Sequence, residues 1–197
     1  MSDERLFAWH AALFPTGRSG IRRIIGGAWR KDAHGPMQII SGPVGKEKVH
    51  YEAPAAALLE EEMSTFLAWA NDREDQTDMV LRAALGHLWF VTIHPFDDGN
   101  GRIARAIADW TLARSEASPQ RFYSMSAQIR HERNDYYSIL EKTQKGTLDV
   151  TSSTGTGNTP GAVVTRVPLV RDPSVARSGT LRALPARPRV PLSSYCT

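Results

Sequence analysis

Apolar positions recur at helical spacing in five stretches of this chain, with a short alternating stretch between the first and the second. Residues 3–14 read as an amphipathic helix in which Leu6, Trp9, His10 and Leu13 share a face, and Pro15-Thr16-Gly17 stops it. The segment from Arg18 to Pro36 is Gly-rich and is expected to be irregular. Met37–Ile40 and Lys48–Glu52 then predict two strands joined by a turn containing Gly42-Pro43 and Gly45. Pro54 is placed to open a helix over about 55–70, whose face of Leu58, Leu59, Glu62, Met63, Phe66 and Trp69 is apolar apart from the Glu, with Asn71-Asp72 at its end.

The next helix, about 78–93, is apolar around most of its circumference. Val80, Ala83, Ala84, His87, Leu88 and Val91 lie on one face, and Leu81, Leu85, Trp89 and Phe90 widen it, which marks a central helix. It runs into His94-Pro95, where proline disfavours a helical His94. A further helix starts near Gly99 or Asn100 and runs to about Ser115 on Ile103, Ile107, Trp110 and Leu112. The last, about 126–145, has Ser126 as its N-cap, Gly146 as its stop, and Ile129, Arg133, Tyr136, Tyr137 and Leu140 as anchors. The pattern predicts an all-α fold with one β-hairpin, divided into an N-terminal segment 1–36, a core 37–150 and a tail 151–197. The tail is Ser/Thr/Gly- and Pro-rich, has no Trp or Phe, and is expected to be disordered.

Composition narrows the class. No apolar run approaches the roughly 20 residues of a membrane helix. The first residues lack the basic leader and apolar core of an export signal. The one cysteine, Cys196, can form no internal disulfide, so a cytoplasmic protein is expected. The net charge of +3 hides a division: residues 151–197 carry six arginines against Asp172, which leaves residues 1–150 at about −2. The basicity therefore belongs to the tail and does not argue for nucleic acid.

The candidate chemistry is concentrated in His94-Pro-Phe-Asp-Asp-Gly-Asn-Gly-Arg-Ile-Ala-Arg105. A helix N-terminus offers unpaired N–H groups and a positive dipole end to an anion. Gly99 and Gly101 allow close backbone approach, and Arg102 and Arg105 can face one polyanion. Asp98 is a hard oxygen ligand suited to a Mg²⁺ that bridges phosphoryl oxygens, and His94 is the group able to take a proton near neutral pH. Each piece has an ordinary reading as a helix stop or a surface turn, but their ordered conjunction is specific. An EF-hand fails, because counting from Asp97 puts Arg102 where glycine is needed and Ala108 where glutamate is needed. There is no Walker loop. His10, His34, His50 and His131 read as surface residues and His87 as a core or supporting residue, with no zinc-ligand spacing among them.

These residues resemble the Fic family pattern HPFx[D/E]GN[G/K]RxxR at every position, and the resemblance extends over roughly residues 5–149. It implies a mainly helical fold in which the 37–52 hairpin is a flap that aligns an extended protein target by strand addition. It implies an AMP transferase that uses ATP and Mg²⁺ and modifies a Tyr, Thr or Ser hydroxyl of a protein. His94 would be the base, Asp98 the Mg²⁺ ligand, and Asn100 with Gly99 and Gly101 the phosphate cradle. Arg102 and Arg105 would hold the β- and γ-phosphates, Phe96 would anchor the loop, and Tyr136, Tyr137 and Gln144 would wall the adenine. Gly101 points to adenylyl transfer, since relatives that phosphorylate their targets tend to have lysine there. Phosphoryl transfer, AMP removal and an idle interaction module are the alternatives. Self-modification and a homodimer are left open as further partnerships.

The resemblance also implies features that this chain lacks. The family's inhibitory (S/T)xxxE[G/N] helix, whose glutamate would pair with Arg105, has no counterpart here. Relatives usually carry a further domain before the segment resembling 5–14 and more core helices after the position of Asp149. A shortened or frame-shifted product is the corresponding expectation.

Overall fold

A computed structural model describes residues 1–33, 35–43, 45–116 and 124–145. Helix α1, Asp3–Leu13, opens at Ser2, whose Oγ accepts the Arg5 N–H at 3.4 Å, with Asp3 and Glu4 in the first turn to complement the helix dipole. Two antiparallel hairpins follow. The first pairs β1, Arg18–Ser19, with β2, Arg22–Arg23. The second pairs β3, Gln38–Ser41, with β4, Lys48–Glu52, in the register Gln38↔Glu52 to Ser41↔Lys48, with an irregularity between Ile39 and Ile40. A 3₁₀ turn at Ala56–Leu58 leads into α2, Leu59–Asn71. Then come α3, Met79–Ile93, α4, Asn100–Glu116, α5, Met125–His131, and α6, Arg133–Lys145.

The most extensive packing is between α3 and α4. Phe66 and Met63 of α2, Phe90 and Ile93 of α3, Ile103 and Ile107 of α4 and Leu6 of α1 are all buried in one cluster with Phe96. Each such side chain contributes about 1.5–3 kcal/mol by leaving water. The charged Arg82 is buried within α3, with both terminal nitrogens of its guanidinium paired. Its Nη2 donates to the carbonyls of Trp69 and Asp72, each at 2.6 Å, and Nη1 pairs with Asp75 at 3.0 Å, which closes the end of α2.

The mainly helical class with one larger hairpin agrees with the periodicity, and several local expectations are corrected. The segment after Arg18 is not wholly irregular, since it holds β1 and β2. The predicted helix 55–70 starts with a 3₁₀ turn, and regular α-helix begins at Leu59. The predicted helix 126–145 is two helices. Glu132 leaves helical geometry at φ −107°, ψ 37°, and Ser124 rather than Ser126 caps the first of them, accepting the Ala127 N–H at 3.2 Å. His34, Gly146 and the tail 151–197 lie outside the described residues. Among the described residues no helix is long and apolar enough to cross a membrane.

Candidate active site

The site begins where α3 stops. His94 takes a left-handed conformation, φ 52° and ψ 55°, and its N–H closes on the Phe90 carbonyl at 3.1 Å. Pro95 accounts for this stop, since it disfavours a right-handed residue before it. The His94 ring has Nδ1 3.1 Å from the Val91 carbonyl. A carbonyl only accepts, so Nδ1 carries the proton and Nε2 presents a lone pair. Burial is the main cause that holds the His94 pKa below the ordinary histidine value, with the Arg30 charge adding to it. The imidazole is therefore neutral and able to take a proton near neutral pH.

The loop after Pro95 is fastened from inside. Phe96 is fully buried, and the Asn100 side chain spans its backbone, accepting the Phe96 N–H at 2.9 Å and donating to the Phe96 carbonyl at 2.7 Å. The Asn100 side-chain amide is thus taken up by the loop itself. Gly99 has φ +83°, and a Cβ there would meet Phe14 Cε2 at 2.9 Å, so both conformation and space call for glycine. At the start of α4 the Arg102 and Ile103 N–H groups return to the Gly99 carbonyl at 3.0 Å. Among the described residues those of Asn100 and Gly101 have no acceptor, which is the arrangement that receives an anion.

Asp98 is 46% exposed at its side chain and is held by the Ser19 hydroxyl and the Gly99 N–H, with Arg102 Nη2 at 3.7 Å. Burial works against its charge, but these hydrogen bonds and Arg102 together keep its pKa below the usual aspartate value. An ionised, accessible carboxylate fits a Mg²⁺ whose other ligands are water and phosphate oxygens. No cluster of three or more acidic, histidine or cysteine groups exists among the described residues, so a cage made wholly of protein is not offered.

The two motif arginines have different neighbours. The Arg102 guanidinium lies over the Phe14 ring at 4.6 Å, beside Asp98. Arg105 folds back along α4, with Nη1 3.5 Å from where a Gly101 side chain would start, and its charge acts on His87 and Tyr136. Tyr136 is buried, and its hydroxyl meets His87 Nε2 at 2.9 Å. Tyr137, 53% exposed and edge-on to Tyr136, is the ring of the pair that is open to a base. Gln144 donates to Thr92 Oγ1 at 3.4 Å, at the end of α3.

Three supporting residues escaped the sequence. His10, expected at the surface, is fully buried and stacks on Phe96 at 4.1 Å and 4°. Its Nδ1 accepts the Gly27 N–H at 3.1 Å, so its Nε2 donates to the Asp98 carbonyl at 3.1 Å. Ser19 supplies the hydroxyl on Asp98, and nearby the Ile25 N–H donates to Asp97 at 2.9 Å, so the β1–β2 region is fixed to the loop. Arg30 reaches the His94 carbonyl with Nε at 2.8 Å. The helical period marked His10 as inward, but none of these partners is near in sequence, so no local signal names them.

The larger hairpin is fastened at two places. Tyr51 donates to the Thr92 carbonyl at 2.9 Å, two residues before His94. His50, expected at the surface, is partly buried between Ser41 and Glu141 of α6, at 2.6 and 2.8 Å. Lys48 adds a 3.7 Å contact to the same carboxylate.

Comparison with known proteins adds to this geometry. The Fic/DOC family model matches residues 1–112. A uridine 5'-monophosphate transferase of Xanthomonas campestris is 34% identical over 124 residues, which is 59% of this chain and 22% of that protein. The protein adenylyltransferase fic-1 of Caenorhabditis briggsae is 31% identical over 128 residues, 64% of this chain and 23% of that protein. Among solved structures, a Fic family protein from Desulfovibrio desulfuricans superposes with a TM-score of 0.57 at 25% identity, over 72% of this chain and 39% of that one. The matched stretch thus spans less than a quarter of either curated relative.

Proposed function

Because this chain belongs to the Fic/DOC family, we propose that it is a nucleotidyltransferase that moves AMP from ATP onto a hydroxyl of a protein. The observation that carries the reading is the His94 ring, neutral and fixed through Nδ1, standing directly before an anion-receiving helix start. A target oxygen would attack the α-phosphorus, forming the O–P bond as the bond to the β-phosphate oxygen breaks. Pyrophosphate would leave and the hydroxyl proton would pass to His94 Nε2. The amides of Asn100 and Gly101, with Arg102, would bind the phosphate chain, and Arg105 would serve its far end after turning from its present position. A Mg²⁺ carried with the nucleotide and held by Asp98 would neutralise phosphoryl charge.

The target would reach this site as an added strand on the open edge of the β3–β4 hairpin, which Tyr51 anchors to the Thr92 carbonyl. Tyr137 would face the base, with Tyr136 as its backing. The relative named as a uridine 5'-monophosphate transferase favours testing a second nucleotide beside ATP. The direct test is incubation of the chain and a cell lysate with labelled ATP or labelled UTP, wild type against His94→Ala. Transfer should fall by about 10²–10⁴-fold in the variant. Mass spectrometry of the product distinguishes an added nucleotide from an added phosphate. Label that appears equally with both proteins, or with neither, overturns the reading.

A further inference from the structure

We propose that Arg30 is a positioning residue for His94, holding the strained turn of the base and tying it to the foot of the flap hairpin. The inference rests on His94 being the base, and it concerns a residue outside the motif. Arg30 is buried, with its side chain fully enclosed, and every branch of its guanidinium is used. Nε donates to the His94 carbonyl at 2.8 Å, Nη1 to Asp32, and Nη2 to the Pro54 carbonyl just beyond β4. Its own N–H donates to the Pro95 carbonyl at 2.9 Å. Asp32 in turn accepts the Ala56 N–H at 2.6 Å, where the chain turns toward α2.

The reason such a clamp is needed lies in His94 itself. It is the one non-glycine with positive φ among the described residues, a conformation that costs about 1–3 kcal/mol and persists only where surroundings enforce it. The Phe90 carbonyl holds its N–H and Arg30 holds its carbonyl, so both peptide groups of the turn are fixed. The planar fork reaches the flap foot and the base turn at once, so the target strand and the proton acceptor keep one separation. Lysine has the charge but not the fork, and could keep only one of these bonds.

Two variants separate geometry from charge. Arg30→Lys keeps the cation and loses the fork, whereas Arg30→Gln loses both. With wild-type transfer first shown to depend on His94, both variants should lower kcat by up to about a hundredfold, as for a misplaced reacting group, with KM for ATP nearly unchanged. The charged groups facing His94 are Arg30 and Asp98. Removing the Arg30 cation should raise the His94 titration midpoint in Arg30→Gln and leave it unmoved in Arg30→Lys. That midpoint is read by NMR of the histidine Cε1–H groups, assigned with His94→Ala, and needs no catalysis. Near-UV circular dichroism identifies a variant that has not folded, and the lysine variant preserves the test if glutamine unfolds the chain. A kcat that is unchanged in both folded variants, or a midpoint that does not rise in Arg30→Gln, overturns the inference. Absence of transfer by the wild type would instead overturn the nucleotidyltransferase reading, and the NMR result would stand apart from it.

Discussion

His94 and His10 both serve the motif loop, and their hydrogen bonds give them opposite work. His94 keeps its proton on Nδ1 and offers Nε2, whereas His10 accepts through Nδ1 and donates from Nε2, leaving neither nitrogen for chemistry. His10 is a prop: it stacks on Phe96 and holds the carbonyl of the proposed metal ligand. His10→Phe keeps the stack but leaves the Gly27 N–H and the Asp98 carbonyl without their partner. It should destabilise the fold by about 3 kcal/mol, within the usual cost of two unmet buried groups, as measured by urea unfolding. A loss below about 1 kcal/mol would show that water or a shifted loop replaces the ring. The helical period groups His10 with Leu6, Trp9 and Leu13, but His10 reads as a surface residue because nothing local shows that Phe96 lies beneath it. Stacking partners far apart in the chain leave no periodicity. Gly99 was legible from the loop's need for a positive-φ residue, and Phe96 as an anchor only through the family resemblance.

Among the elements, those with long-range periodicity were read from the chain and those fixed by tertiary contacts were not. Helix α3, apolar on nearly all sides, was legible as the central helix, and its packing against α4 gives the reason. The β1–β2 pair could not be read, because two-residue strands have no pattern and this one is held by Ser19 on Asp98 and the nearby Ile25 on Asp97. The break at Glu132 was hidden for a similar reason: Ile129, Arg133 and Tyr136 keep helical spacing across it. The β3–β4 hairpin was read, but its fastening to α6 was not. His50 and Lys48 both reach Glu141, so this one carboxylate restrains the end of the hairpin away from Pro54. Glu141→Gln should release that end without unfolding the helices. Hydrogen exchange of residues 38–52 should accelerate by about fivefold or more, equivalent to loss of roughly 1 kcal/mol, while α3 and α4 keep their protection. Unchanged exchange in the hairpin would mean that Tyr51 and the backbone pairing suffice.

For the whole molecule, the family and the mainly helical architecture followed from one twelve-residue motif and the helical period, and the support of that motif did not. The supporting groups include neutral histidines in the interior, and this gives the fold a definite acid response. Burial is the leading cause that lowers the pKa of His10, His87 and His94, and for His87 the value falls to about 4. Above the ordinary histidine value of 6.5 each is neutral whether folded or unfolded, so the full stability is present there. As pH falls below it, the unfolded chain takes up protons that the folded chain refuses, and stability is lost until the folded pKa is passed. For His87 that window runs from 6.5 to about 4, a loss of about 3 kcal/mol when complete. Asp98, lowered from 3.8, loses its contribution only at more acidic pH, so the interval between about 6.5 and 5 belongs to the histidines. Unfolding free energies from urea titrations across it should fall with a slope of about 1.4 kcal/mol per pH unit for each proton taken up on unfolding. His10→Phe should remove one such proton and flatten the slope while lowering stability at every pH. An unfolding free energy that is constant from about pH 7 to pH 5 would mean that these rings are hydrated in solution and take up protons alike in the folded and unfolded chain.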